Sequence, residues 1–188
     1  MSGTLLADIG GTHARFAWAD GQGGHAAPLV LKVADFPRIE DAFAAAGPAD
    51  RALVALAGPV RDGVCRMTNS PWGEVRADGL GVPDARLLND LEAQAWLLPH
   101  LTLGDTAGLG GPARAQGPAL LINPGTGLGV AQPIPGAGAV ATEGGHVTLA
   151  GADAAEDAVL AALRDRFGHA SAERALSGPG FAHLGAAG

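Results

Sequence analysis

Cysteine is nearly missing from this chain. Cys65 stands alone, which excludes an internal disulfide framework and any cysteine-built zinc site. Lysine is equally scarce: Lys32 is the only one. The G-x-x-x-x-G-K-[ST] phosphate loop, which needs a lysine, is therefore absent. The G-x-G-x-x-G dinucleotide fingerprint with its distant acidic residue is absent too. Basic charge is short overall. Twelve Lys and Arg against 19 Asp and Glu leave a net charge of −7. The scattered arginines make no patch suited to a phosphodiester backbone, so nucleic acid is not an expected partner. No run of about 18 apolar residues occurs, and the start MSGTLLADIGG lacks both a basic region and a signal-length apolar run. A membrane is not an expected partner either, and the expected location is the cytoplasm.

What the chain does have is apolar residues and glycine. Of 188 residues, 47% are hydrophobic, and the mean hydropathy is +0.19. That excludes a disordered tail and allows a sizeable core, in one domain or two small ones. The 30 glycines concentrate in 104–118 (GDTAGLGGPARAQGP) and 136–145 (GAGAVATEGG).

Two glycine-rich turns carry the first chemical signal. TLLADI (4–9) is an apolar run whose end holds Asp8, followed at once by Gly10, Gly11 and Thr12, then Arg15. A carboxylate at the end of a buried strand can hold a metal ion through water, and glycines let backbone N–H groups approach a phosphate. The second turn, Gly125 to Gly129, follows the apolar run Ala119 to Ile122. Each turn alone is equally compatible with a plain tight turn. Together they suggest a nucleoside triphosphate held between two halves of a protein. With no Walker lysine, the phosphates would rely on backbone N–H groups, hydroxyls, Arg15 and a metal.

Strands are expected at Leu5–Ile9, Phe16–Trp18, Leu29–Val33, Arg51–Ala57, Val64–Thr68, Ala85–Leu88, Ala119–Ile122 and Leu128–Gln132, with one more beginning at Val140. Helices are expected at Pro37–Ala46, Leu91–Leu98 (ended by Pro99) and Asp153–Phe167. The last shows Val159, Leu160, Leu163 and Phe167 on one side and Gly168 as its stop. Strands lead and helices follow, so the class is α/β with a mixed sheet. The stretch 104–118 reads as a connection between two lobes with a cleft.

Three clusters can do chemistry. Asn89-Asp90 lies where a strand becomes a helix. It reads both as an ordinary N-cap and as a carboxylate able to take a proton from a substrate hydroxyl. Glu143-Gly144-Gly145-His146 reads as a surface turn, as a thin metal motif, or as a polyol-recognition cluster. Glu173 reads, on its own surroundings, as a solvated helix residue. Cys65 reads as a small buried hydrophobe.

Taken in order, these segments resemble the bacterial glucokinase family of the hexokinase and actin-like ATPase superfamily. DIGGTHAR (8–15) and PGTGLGVA (124–131) resemble its two phosphate motifs. ALAGPV (55–60) and MTNSPW (67–72) resemble a further stretch. LLNDLEAQA (87–95) resembles the segment with the catalytic aspartate, while EGGHVTLA (143–150) and FGHASAERALSGPG (167–180) resemble the sugar-binding segments. The single cysteine favours this branch over the repressor-type sugar kinases with their cysteine-rich zinc motif. His13 and Asn123 depart from the usual residues.

The resemblance implies a ribonuclease H-like/actin-like ATPase fold: a small lobe over 1–103, the connection 104–118, and the first part of a large lobe over 119–188. It implies ATP-dependent phosphorylation of glucose to glucose 6-phosphate. Asp90 would be the general base. Asn89, Glu143, His146 and Glu173 would join it in holding the sugar, Asp8 would hold Mg²⁺ through water, and Gly10, Gly11, Thr12, Gly125, Thr126 and Gly127 would approach the phosphates of ATP. Family members are expected to be homodimers. They continue well past the position of Gly188, so an incomplete second lobe with bare apolar surface is expected. A sugar-binding remnant without activity and a kinase for another hexose are the rival readings.

Overall fold

The computed structural model describes residues 3–67, 70–110 and 117–187. Thr68 and Asn69 of the MTNSPW segment, and 111–116 of the glycine-rich stretch, lie outside the described residues. Two compact units divide the chain, Met1–Ala93 and Gln94–Gly188.

The first unit is built on β1 (Thr4–Ile9), β2 (His13–Trp18), β3 (Leu29–Lys32), α1 (Ile39–Ala46), β4 (Arg51–Leu56), β5 (Val60–Arg61), β6 (Val64–Arg66), β7 (Glu74–Arg76), β8 (Asp84–Asn89) and the start of α2 (Asp90–Leu97). Its main sheet has the order β3-β2-β1-β4-β8. β1 pairs antiparallel with β2, and β2 with β3. β1 and β4 are parallel, as are β4 and β8. Three strands therefore end together, at Ile9, Leu56 and Asn89, which are aligned in register.

Strict alternation sends one face inward. Leu5, Ala7 and Ile9 of β1, Ala14 and Phe16 of β2, Ala52, Val54 and Leu56 of β4, and Leu87 of β8 form one cluster with α1. Helix α1 contributes Ile39, Ala42 and Phe43, spaced i, i+3, i+4. Phe43 meets Phe16 edge to face at 5.1 Å between centroids, the geometry that aromatic quadrupoles favour. Trp72 closes one margin and donates its indole N–H to the Phe36 carbonyl at 2.9 Å. The opposite face mixes charge with apolar surface: Thr4, Arg51, Leu53, Asp84 and Arg86 line a cavity of about 270 Å³.

A second small sheet, β5-β6-β7, was only partly expected. Its first hairpin turns at Asp62 and Gly63, with φ of 50° and 71°. Asp-Gly between two valine-bearing strands is a strong hairpin signal, so β5 was readable. Strand β6 ends at Arg66, not Thr68.

The second unit holds β9 (Leu121–Pro124), β10 (Leu128–Ile134), β11 (Gly138–Thr142), α3 (Ala154–Phe167), α4 (Ala172–Leu176) and α5 (Gly178–Ala187). The three strands form one antiparallel sheet in the order β11-β10-β9. Asp153 caps α3, accepting from the N–H groups of Ala155 and Glu156 at 2.9 Å each. Gly168 ends it in the left-handed region at φ 76°. Leu160 and Leu163 are buried, with Val159 and Phe167 packed around them, as the apolar stripe required.

Several expected boundaries moved. α1 starts at Ile39 because Arg38 is extended. β9 runs over Leu121–Pro124 rather than Ala119–Ile122, since its partners on β10 begin at Leu128 opposite Pro124. α2 begins at Asp90, one residue early, and Pro99 sits inside a 3₁₀ turn, Leu98–His100. Proline is tolerated there because it falls in the first turn. α4 and α5 were not expected. Large apolar side chains do stand in solvent in the second unit, Ile122 at 57% and Val140 at 46% exposed among them. No helix among the described residues is long and apolar enough to cross a membrane.

Leu56, fully buried at the end of β4, sets a test of the first core. Leu56→Ala should cost about 2–5 kcal/mol in urea unfolding, and Ile122→Ala much less. Equal costs would contradict the core assignment.

Candidate active site

The parallel strands β1, β4 and β8 deliver three segments to one end of the sheet: Gly10-Gly11-Thr12, Gly58-Pro59 and Asn89-Asp90. In open α/β sheets, ligands are bound at such carboxyl ends. Asp8 lies one residue before the end of β1, on the face opposite the core, and is paired across the ladder with Arg15 of β2. Arg15 Nη1 donates to Asp8 Oδ2 at 3.1 Å, with both side chains about half exposed. Arg15, offered above as a phosphate ligand, thus engages a carboxylate here.

Asn89 is fully employed as a structural joint. Its Oδ1 accepts from the N–H groups of Leu91 at 3.0 Å and Glu92 at 3.2 Å. Its Nδ2 donates to the Gly58 carbonyl at 3.0 Å. One side chain therefore starts α2 and ties that start to the turn after β4. The Asn89 side chain also favours the ionised form of the Asp90 carboxyl. Asp90 follows at the first position of α2, with its Oδ1 accepting from the Leu91 N–H at 3.0 Å. The N-cap role falls to Asn89, and both side chains accept from the Leu91 N–H.

Asp90 is half-buried, and burial holds its carboxyl above the ordinary carboxylate range. The N–H groups of Leu91 and of Asp90 itself oppose that rise; the negative charge of Asp8 adds to it. Residues 82 positions apart in sequence, Asp8 and Asp90, are therefore close enough to repel. Cys65, buried on β6, has its thiol pushed up by burial first and by the charge of Asp90 second.

The two glycine turns leave open space beside their backbones. An added Cβ at Gly10 would have the His13 carbonyl at 3.8 Å as its nearest neighbour, and one at Gly125 would meet nothing within 4 Å. Neither position has a positive φ. Packing and backbone strain therefore do not demand glycine at either place, and the open space suits a ligand's approach. Thr12 and Thr126 are exposed. Among the described residues, no group of three His, Cys, Asp or Glu side chains can hold a metal. Asp8 is instead a single accessible carboxylate. That fits Mg²⁺, which keeps several waters and is bound by one or two carboxylates plus substrate phosphates.

In the second unit, Glu143 and His146 flank a 3₁₀ turn, Gly144–His146. His146 Nε2 is 3.6 Å from Glu143 Oε2, and both side chains are largely in solvent. An added Cβ at Gly145 would collide with the Leu128 carbonyl. The turn is therefore pressed against β10, which fixes where Glu143 and His146 emerge. Helix α4 packs on both this turn and β10. Glu173 of α4 is not simply solvated: it is half-buried, and its Oε2 accepts the Leu128 N–H at 3.0 Å. A Cβ at Gly127 would sit 2.6 Å from that oxygen, so any larger residue there displaces the Glu173 carboxylate. Asn123, one of the departures, donates to Gln94 Oε1 at 3.2 Å.

The roles of Gly58, Leu128 and Gly178 were missed. They act through backbone groups, so their side-chain identities carry no signal of it. The Gly178 N–H donates to the Gly125 carbonyl at 2.8 Å.

The mixed five-stranded sheet, with an aspartate at the end of its first strand and a glycine turn after it, agrees with the ribonuclease H-like/actin-like fold that the resemblance implied. The comparisons narrow this. The family model described as Glucokinase matches residues 5–187, and the chain belongs to that family. It is 41% identical over 196 residues to a glucokinase of Paramagnetospirillum magneticum, covering 96% of this chain and 61% of that protein. A crystal structure of glucokinase from an Antarctic psychrotroph superposes with a TM-score of 0.81 at 28% identity, covering 100% of this chain and 64% of that one. A ROK family glucokinase from Streptomyces griseus, solved with glucose and AMPPNP, shares the fold at a TM-score of 0.60 and 23% identity, over 95% of this chain and 58% of that one. The chain spans less than two thirds of the length of each.

Two measurements check the first unit's site. Asn89→Ala removes a cap and the link to Gly58, and should cost about 1–2 kcal/mol in denaturant unfolding. Asn89→Asp keeps the cap acceptor but cannot donate to the Gly58 carbonyl, so it should recover only part of that loss. Equal loss in both variants would contradict the capping role. The second measurement concerns pH. A carboxyl raised in the folded state stabilises fully below its unfolded value of about 4, and that contribution is lost as pH rises through the folded value. The stability of Asp90→Asn relative to the unsubstituted chain should therefore increase from pH 3 to pH 7. A constant or falling difference would show that burial does not raise this group.

Proposed function

We propose that the chain carries the chemistry of a glucokinase: transfer of the γ-phosphoryl group of ATP to the 6-hydroxyl of D-glucose. The observation that carries the reading is Asp90, a half-buried carboxylate at the carboxyl end of β8 whose proton affinity is raised by burial and by Asp8. Such a carboxylate at a strand end can take a proton from a substrate hydroxyl. The family match over residues 5–187 supports the same assignment.

In this mechanism Asp90 accepts the proton of the attacking hydroxyl. The Leu91 N–H holds Oδ1 and Asn89 fixes the helix start beneath it, so the base is oriented before substrate arrives. Asn89, Glu143, His146 and Glu173 hydrogen-bond the other sugar hydroxyls. Gly11, Thr12, Thr126 and Gly127 offer backbone N–H groups and hydroxyls to the phosphates, while Gly10 and Gly125, whose N–H groups are held by the His13 and Gly127 carbonyls, let the backbone come close. Asp8 would hold Mg²⁺ through water, and that ion supplies neutralisation of phosphate charge. Phosphoryl transfer needs little covalent work from the protein, so positioning and charge stabilisation carry the rate.

The expected outcome is that Asp90→Asn lowers kcat by about 10²–10⁴-fold in a coupled ADP assay, while glucose affinity by calorimetry stays within a few-fold. Near-normal turnover would refute the base. The rival reading is a sugar-binding scaffold without turnover. Glucose binding with no turnover and no AMPPNP binding in the unsubstituted chain would establish it.

A further inference from the structure

The second glycine loop is gripped at both ends by one short segment 45 or more residues downstream. At its far end, the Leu128 N–H donates to Glu173 Oε2 at 3.0 Å. At its near end, the Gly125 carbonyl accepts from the Gly178 N–H at 2.8 Å. Between them the loop closes on itself, Gly125 N–H to Gly127 carbonyl, at 2.8 Å. The gripping segment is itself well anchored. Ser171 caps α4, accepting from the Arg174 N–H. The Ser177 N–H donates to the Glu173 carbonyl at 3.1 Å, and the buried Ser177 hydroxyl accepts from the Gly180 N–H at 3.1 Å. Ala172 and Ala175, one on each side of Glu173, are buried.

We propose that Glu173 is a positioning residue for the second glycine loop, coupling the loop's geometry to whatever its other carboxylate oxygen binds. The part concerning sugar rests on the function proposed above. Among the described residues, nothing hydrogen-bonds Oε1. The two oxygens of a carboxylate are one rigid plane. A hydroxyl that binds Oε1 therefore fixes Oε2, and with it the Leu128 N–H and the turn of Gly125–Gly127. Gly127 is part of the device, because any Cβ there would displace Oε2. Coupling of this kind is reciprocal: a ligand that orders the loop also prepares Glu173.

The test uses the whole ¹⁵N-labelled chain and amide hydrogen exchange at Leu128 and Gly178. Glu173→Ala should speed exchange at Leu128 by about tenfold or more, the worth of a charge-assisted hydrogen bond. Glu173→Gln, which keeps an acceptor oxygen, should restore most of the protection. Gly127→Ala should imitate the Glu173→Ala result with Glu173 intact. D-glucose added to the unsubstituted chain should slow exchange at both Leu128 and Gly178. Unchanged Leu128 exchange in Glu173→Ala overturns the brace. Saturable glucose binding that leaves Leu128 and Gly178 untouched overturns the coupling. An absence of glucose binding sinks the sugar-kinase reading instead, and the three variants then decide the brace without it. If Glu173→Ala fails to fold, Gly127→Ala and Glu173→Gln carry the same comparison.

Discussion

The structure depends on the in-register ending of three parallel strands. Ile9, Leu56 and Asn89 are aligned across β1, β4 and β8, and each is followed by a segment with a task. That alignment is imposed by burial. A slip of one residue would turn Leu5, Ala7 and Ile9 outward and send Asp8 into the core. The same apolar alternation that holds the sheet therefore brings Asp8 and Asp90 to one end of it. Their mutual repulsion, added to the burial of Asp90, makes the site a place where a proton is held more tightly than in water. Asn89 makes this durable, because its one amide serves the helix start and the neighbouring turn at once.

The second unit uses a different device. Its sheet is small and antiparallel, and position is fixed by close approach. Gly145 lets a turn lie against the Leu128 carbonyl, and Gly127 lets Glu173 reach the Leu128 N–H. Leu128 thus receives contacts from two segments that the resemblance assigned to sugar binding. The Leu128 N–H and carbonyl belong to the two peptide planes on either side of its Cα, so both planes are held and the residue has little freedom to turn.

Much of this was legible in the sequence. The strand before Asp8, the hairpin after it, the strand-to-helix junction at Asn89-Asp90 and the capped stripe of α3 followed from periodicity and cap chemistry. Their signals are local, since alternation, Asn at a cap and Gly after a helix each act within a turn or two. The failures were of two kinds. Some signals were present and unread, such as Asp62-Gly63 between Val60 and Val64, and Ser171 and Ser177 ahead of short helices. Others leave no local trace. Glu173 looked like a solvated helix residue because its partner lies 45 residues away and is a backbone N–H. The repulsion between Asp8 and Asp90 is equally invisible until the sheet order is known.

The account stands on Asp90 being a desolvated carboxylate with a charged neighbour. Its carboxyl carbon can be followed by ¹³C NMR through a pH titration, in the unsubstituted chain and in Asp8→Asn. The account predicts a midpoint above the ordinary aspartate value of about 3.9, falling in Asp8→Asn yet staying above that value, because burial is the larger cause. A midpoint at or below the ordinary value in the unsubstituted chain, or one that ignores Asp8→Asn, would contradict it.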